Sequence, residues 1–170
     1  MDAGCGTGIA TFALMDALAA RNLSATSFDA FDLTPAMIET FRAAAAKRGA
    51  DVRIAQADVL GPDALPHGWS GYDLIVSSAM LEYVSPDRLA EALAGLRRRL
   101  ARDGTLIVFI TRDNWLTRPM IGRWWRANLY TETTLLERFR SAGYSEVTFG
   151  RFPTAFRHLA MWGHIVQARP

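Results

Sequence analysis

Residues 2–10 read DAGCGTGIA, with glycine at Gly4, Gly6 and Gly8, and this stretch constrains the fold more than any other. Glycine is needed where a backbone turns tightly or comes within contact distance of a ligand. A loop entering a helix also presents unpaired N–H groups there. The loop therefore suits a polar, nucleotide-like ligand. The dinucleotide fingerprint is G-x-G-x-x-G, whereas the spacing here is G-x-G-x-G, with Ile9 standing where the third glycine belongs. Only Met1, Asp2 and Ala3 precede the loop, although such loops normally follow a complete strand.

Beyond it, apolar runs rich in β-branched and aromatic residues alternate with stretches of helical period, the pattern of an α/β fold with a largely parallel sheet. Residues 8–20 are almost entirely apolar apart from Asp16, which suits a helix buried against a sheet. ATSFDAFDL (25–33) reads as a strand. Thr34 and Pro35 then open a helix with Met37, Ile38, Phe41 and Ala45 on one face, and Gly49 ends it. DVRIAQA (51–57) and YDLIVSSA (72–79) are the third and fourth strands, separated by the loop GPDALPHGWSG. Ser85, Pro86 and Asp87 start a helix whose Leu89, Leu93, Leu96 and Leu100 form one stripe. Asp103 and Gly104 turn into the fifth strand, TLIVFI (105–110). A helix over 131–142 stops at Gly143, and 144–149 and 160–168 are closing strands.

A chain of 170 residues, half of them hydrophobic, fits one globular domain over 1–170. Net charge is only +2, and Arg97, Arg98 and Arg99 read as the solvated end of a helix, so nucleic acid is not an expected partner. Cys5 is the only cysteine, which excludes an intrachain disulfide and favours a reducing compartment. With no signal-like N-terminus and no apolar run of about 18 residues, a cytoplasmic protein without stable membrane insertion is expected. His67, His158 and His164 have no metal-gathering spacing, and no G-x-S-x-G elbow is present.

Asp32 ends the second strand beside the glycine loop, where a carboxylate can accept hydrogen bonds from both hydroxyls of a ribose or instead cap the next helix, a role for which Thr34 competes. Asp58 ends the third strand at the same rim. DAGCGTG, FDLTPAMI, AQADVLG, YDLIVSSAMLEYV and DGTLIVFI, in this order and spacing, together resemble the successive motifs of class I S-adenosylmethionine-dependent methyltransferases, especially the small-molecule branch. The resemblance implies a Rossmann-like, doubly wound, mostly parallel sheet of seven strands with an antiparallel last strand. It implies S-adenosylmethionine as cofactor, with Gly4 and Gly6 around its methionine part, Asp32 on the ribose, Leu33 and Met37 against the adenine, and Asp58 with Val59 at the adenine edge. Ser77 and Ser78 fall where the fourth strand opens onto the methyl group. Cys5 is read as a small filler, not a nucleophile.

The sulfonium is already an excellent leaving group, so holding the acceptor in line carries most of the acceleration, and a general base is needed only if the acceptor must lose a proton. Candidates are Glu82 and Tyr83 in LEYV, where relatives often have histidine in place of the tyrosine; Glu82 has the alternative reading of a solvated loop acid. RDNWLTRPMIGRWWRANLY (112–130) is too long and aromatic for a minimal connection and is expected to be a substrate-side insertion. Trp115, Trp124, Trp125 and Tyr130 would wall an apolar pocket for a small-molecule acceptor, and Arg118, Arg123 and Arg126 would meet an acidic group. Two other readings are that the tryptophans pack over the sheet, or that the Arg–Trp mixture rests peripherally on a membrane surface.

In the family the first strand lies between the second and the fourth. With three residues before the loop, that strand is expected to be largely missing, the chain truncated, and the domain poorly stable unless the gap is otherwise filled. Two rival functions accompany the methyltransferase reading: a nicotinamide oxidoreductase, and a non-catalytic remnant that kept the scaffold.

Overall fold

The computed structural model describes residues 1–23, 27–61 and 65–170. Residues 25 and 26 of the expected second strand and 62–64 of the expected loop lie outside the described residues. The chain forms two compact units, Met1–Trp69 and Ser70–Pro170.

In the first unit, β1 is the dipeptide Asp2–Ala3, α1 spans Ile9–Ala19, β2 Asp29–Asp32, α2 Pro35–Arg48 and β3 Arg53–Gln56. β1 is short but paired: Asp2 and Ala3 lie parallel to Ala30 and Phe31 of β2, and β2 pairs in parallel with β3 from Asp29↔Arg53 to Asp32↔Gln56. α2 follows its sequence signals, with Pro35 in the first turn and Gly49 in a left-handed cap at φ 66°. Ile38, Phe41 and Ala45 are buried, spaced to share one face. Met37 departs from that face and is 44% exposed. Phe41 meets Phe12 of α1 edge to face, 5.3 Å between centroids, over a core that includes Cys5, Ala30 and Ala45. The expectation that α1 is buried is corrected: only its Thr11 is buried, and Ile9 is 77% exposed. A helix apolar on every side can turn only part of its surface to one sheet.

In the second unit, β4 is Tyr72–Ser78, α3 Leu89–Arg97, β5 Leu100–Thr111, α4 Glu132–Ser141, β6 Glu146–Gly150 and β7 Gly163–Arg169. α3 begins later than Ser85, because Ser85 and Asp87 bond each other through their side chains in a preceding turn. Leu89, Leu93 and Leu96 form the buried stripe, whereas Leu100 has crossed into β5. The Asp103–Gly104 turn appears as a bulge: β4 and β5 shift register between Tyr72↔Leu100 and Leu74↔Thr105. At Gly104 a Cβ would come within 2.4 Å of the Tyr72 carbonyl, so only glycine fits. Arg97 is less solvated than expected, with Nε buried and its guanidinium under Gly143. β7 runs antiparallel to both β5 and β6. The strand order is β3-β2-β1 in the first unit and β4-β5-β7-β6 in the second, the seven strands of the expected mostly parallel arrangement.

Candidate functional site

The glycine loop divides its labour between ligand space and packing. Gly8 adopts φ +88°, and a Cβ there would lie 2.2 Å from the Phe41 ring; this glycine lets α1 approach α2. Gly6 adopts φ +52°, yet a Cβ there would meet nothing within 4 Å. Its bare backbone faces open space, as a position approached closely by a ligand must. Gly4 and Cys5 both donate backbone N–H bonds to the Phe31 carbonyl at 2.9 Å, fixing the loop to the end of β2.

Asp32 organises the same rim. Its Oδ2 accepts the Gly6 N–H at 2.8 Å and its Oδ1 the Thr34 N–H at 2.8 Å. The carboxylate thus holds the loop and the entry to α2 together, while Thr34 makes no side-chain cap bond of its own. Each carboxylate oxygen has a second acceptor position, so Asp32 can still receive two hydroxyls. Leu33, 60% exposed, and Met37 give an apolar edge on the same turn. Asp58 is exposed, and its Oδ1 accepts the Leu60 N–H at 2.9 Å, which shapes the turn that carries Val59.

Asp2 is a candidate site residue that the sequence reading passed over. It is buried, its Oδ2 accepts the Thr11 hydroxyl at 2.6 Å, and its Oδ1 has no hydrogen-bond partner among the described residues. Burial raises its pKa above the ordinary carboxylate value, against the lowering effect of the Thr11 bond. The signal was the acid that opens DAGCGTG, together with a threonine one helical turn into α1. Burial, reinforced by the charges of Asp2 and Asp32, pushes the Cys5 thiol up to about 12. It is an inert filler at neutral pH.

In the second unit, Glu82 lies in a 3-10 turn, Leu81–Tyr83, and is 3% exposed. It is no solvated loop acid. Its Oε2 accepts both the backbone N–H of Thr111 at 2.9 Å and the Thr111 hydroxyl at 2.7 Å. Its carbonyl accepts the N–H and side-chain amide of Asn128 at 2.8 and 3.0 Å, and the same amide reaches the Val84 carbonyl at 2.9 Å. Glu82 therefore ties the turn after β4 to the last residue of β5 and to Asn128 near the far end of the 112–130 linker. Tyr83 is exposed, and partial burial followed by the charge of Glu82 raises its pKa above the ordinary phenol value. It stays protonated at neutral pH.

Trp115, Trp124 and Trp125 of the linker are 84%, 83% and 64% exposed, which overturns the reading that they pack over the sheet. Tyr130 differs: it is 3% exposed, its hydroxyl has no hydrogen-bond partner among the described residues, and it lies in the bridge Arg112↔Tyr130. Ser77 is fully buried, its Oγ without a hydrogen-bond partner among the described residues, while its neighbour Ser78 is half-buried. As placed, neither Ser77 nor Tyr130 offers side-chain surface to a ligand. Among the described residues no cluster of histidine, cysteine or acids could hold a metal, and no helix is long and apolar enough to cross a membrane.

Comparison with known proteins bears on the family and the fold. The methyltransferase domain family matches residues 1–104. No curated protein matches the sequence. Among solved structures, the PH0226 protein of Pyrococcus horikoshii OT3 is 16% identical, with a TM-score of 0.73 over 99% of this chain and 80% of its own. PigF with SAH is 20% identical, with a TM-score of 0.78 over 99% of this chain. The chain spans about half of PigF, 49% of its length. The magnesium protoporphyrin IX methyltransferase of Synechocystis PCC 6803, with bound SAH, is 18% identical, with a TM-score of 0.72 over 99% of this chain and 73% of its own. At these identities the structural likeness concerns the fold, and the family match carries the assignment. The chain belongs to the methyltransferase domain family.

Proposed function

We propose that this protein transfers the methyl group of S-adenosylmethionine to a small-molecule acceptor with an apolar or aromatic body. When bound, the cofactor supplies a methyl group on a positively charged sulfur that leaves readily. The residues of the first unit suit it on chemical grounds. Gly6 leaves room for a close backbone approach. Asp32 keeps two acceptor positions for ribose hydroxyls beside the bonds it already receives. The unpartnered Oδ1 of Asp2 suits a buried donor such as an ammonium group. Leu33 and Met37 offer apolar surface to a purine, with Asp58 and Val59 at its edge.

The observation that carries the acceptor reading is a fastened linker with exposed indoles. Asn128 pins its far end to the Glu82 and Val84 carbonyls, yet Trp115, Trp124 and Trp125 remain uncovered. Three uncovered indoles on an anchored segment suit an apolar partner molecule. The buried Glu82 Oε2 is already engaged by two donors from Thr111, and a protonated phenol is no base. Glu82 is accordingly a positioning residue, and Tyr83 serves at most as a hydrogen-bond donor. Catalysis then rests on holding the acceptor in line, which suits an acceptor already nucleophilic near neutral pH.

The test is methyl transfer to a panel of phenols, aromatic amines and aliphatic alcohols, with cofactor binding measured in parallel. Trp124→Ala and Trp125→Ala should raise the acceptor KM about tenfold and leave the cofactor Kd nearly unchanged. Equal loss of both would mean that the indoles only maintain structure.

A further inference from the structure

The segment Thr154–Met161, a run of 3-10 turns before β7, takes no part in the site described above. It carries Phe156 and Met161 at 55% and 53% exposure. The 112–130 linker leaves the C-terminal end of β5, and Thr154–Met161 enters the paired end of antiparallel β7, where Thr111 lies opposite Gly163. Both segments therefore emerge at one end of this sheet. They are also bonded to each other: the Asn114 side-chain amide donates to the Met161 carbonyl at 2.7 Å, and the Arg112 N–H to the Trp162 carbonyl at 3.0 Å. Trp115 and Met161 flank that junction.

Charge is as uneven as apolarity. Residues 112–130 and 151–162 hold six arginines and one acid, Asp113, in a chain whose total is only +2, so the remainder is net acidic. Arg112 and Arg118 are paired, with Glu132 and Asp113 respectively. Arg123, Arg126, Arg151 and Arg157 are exposed, and among the described residues none forms an ion pair. Exposed indoles interspersed with unpaired arginines match the interface of a bilayer, where indole rings settle at headgroup level and cations meet lipid phosphates. A second copy would bring like charge against like charge. Single-stranded nucleic acid would use the indoles as stacking faces but gains little from Leu159 and Met161.

We propose that this face docks the protein on anionic membrane surfaces. The proposal requires nothing of the acceptor, because docking is read without cofactor or acceptor present. The experiment is flotation with phosphatidylcholine vesicles and with vesicles containing phosphatidylglycerol, alongside intrinsic tryptophan fluorescence. Wild type should float with the anionic vesicles, show a blue-shifted emission, and release as salt rises. Arg123→Gln and Arg157→Gln should each weaken partition about fivefold. Trp115→Ser should weaken it further, whereas Arg98→Gln and Arg102→Gln, elsewhere on the unit, should not. The inference is overturned if anionic vesicles are not bound, if all arginine variants lose partition alike, or if oligo-dT is bound and vesicles are not. Self-association without vesicle binding would also overturn it.

Discussion

Oδ2 of Asp32 accepts the Gly6 backbone N–H at 2.8 Å and its Oδ1 the Thr34 N–H, so one acid fixes both the glycine loop and the entry to α2. Removing it has two separable effects. Asp32→Ala leaves the Gly6 and Thr34 amides without their acceptor and deletes the ribose acceptor, which should weaken cofactor binding by about 1–3 kcal/mol. Asp32→Asn keeps one carbonyl oxygen and should fall between. Calorimetric titration with S-adenosylhomocysteine measures both, and equal affinity for wild type and Asp32→Ala would contradict the assignment.

Glu82 is expected to matter more for folding than for proton removal. Glu82→Ala strands the buried amide and hydroxyl of Thr111 and should destabilise by about 1–3 kcal/mol, a Tm loss of roughly 3–10 °C. Glu82→Gln keeps an acceptor oxygen and should lose less than about half of that. Tyr83→Phe should leave the pH profile of kcat unchanged. A shifted alkaline limb in Tyr83→Phe, or a lost acid limb in Glu82→Gln with an unaltered Tm, would return a base role to that residue.

A pH dependence is built in at His164. It is buried; its Nε2 donates to the Tyr130 carbonyl at 3.1 Å, which leaves Nδ1 to accept from Arg112 at 3.3 Å. Glu132 faces the same ring at 3.5 Å, and Phe149 packs edge-on against it. Burial first, then the Arg112 charge, lowers its pKa below the ordinary histidine value. The unfolded chain therefore takes up this proton at a higher pH than the folded one. The stability His164 contributes is present above about pH 6.5 and is lost as pH falls below it. Melting curves between pH 7.5 and 5 should show Tm falling on the acid side for wild type, with a smaller fall in His164→Asn. An equal fall in both would place the titration elsewhere.

Local signals and structure agree where backbone chemistry dominates. Pro35 and Gly49 bound α2, Gly143 at φ 90° follows α4, and the spacing of Leu89, Leu93 and Leu96 gives the buried face of α3. The rim acids were legible because a strand end in such a sheet has a known place. Three features were not. Leu100 continues the α3 period but belongs to β5, since periodicity does not show where a helix unwinds. Asp2 carries its meaning only through Thr11 and burial, which no spacing reveals. The first strand was expected to be largely missing, and β1 is indeed only two residues, but what so short a strand could still pair with was not legible. Two residues are enough to align with Ala30 and Phe31, because Gly4 and Cys5 continue the bonding to the Phe31 carbonyl.

The central claim, that the open backbone at Gly6 is where the cofactor approaches, has a matched control within the first unit. Gly6 and Gly49 both adopt left-handed φ, +52° and +66°, and a Cβ at either meets nothing within 4 Å. Alanine at each site carries similar backbone strain, about 1 kcal/mol. Only Gly6 lies in the glycine loop beside Asp32. Titration of wild type, Gly6→Ala and Gly49→Ala with S-adenosylmethionine should therefore show similar losses of Tm in the two variants. Affinity should fall at least about tenfold in Gly6→Ala and stay near wild type in Gly49→Ala. Undiminished affinity in Gly6→Ala, or an equal fall in both, would contradict the account.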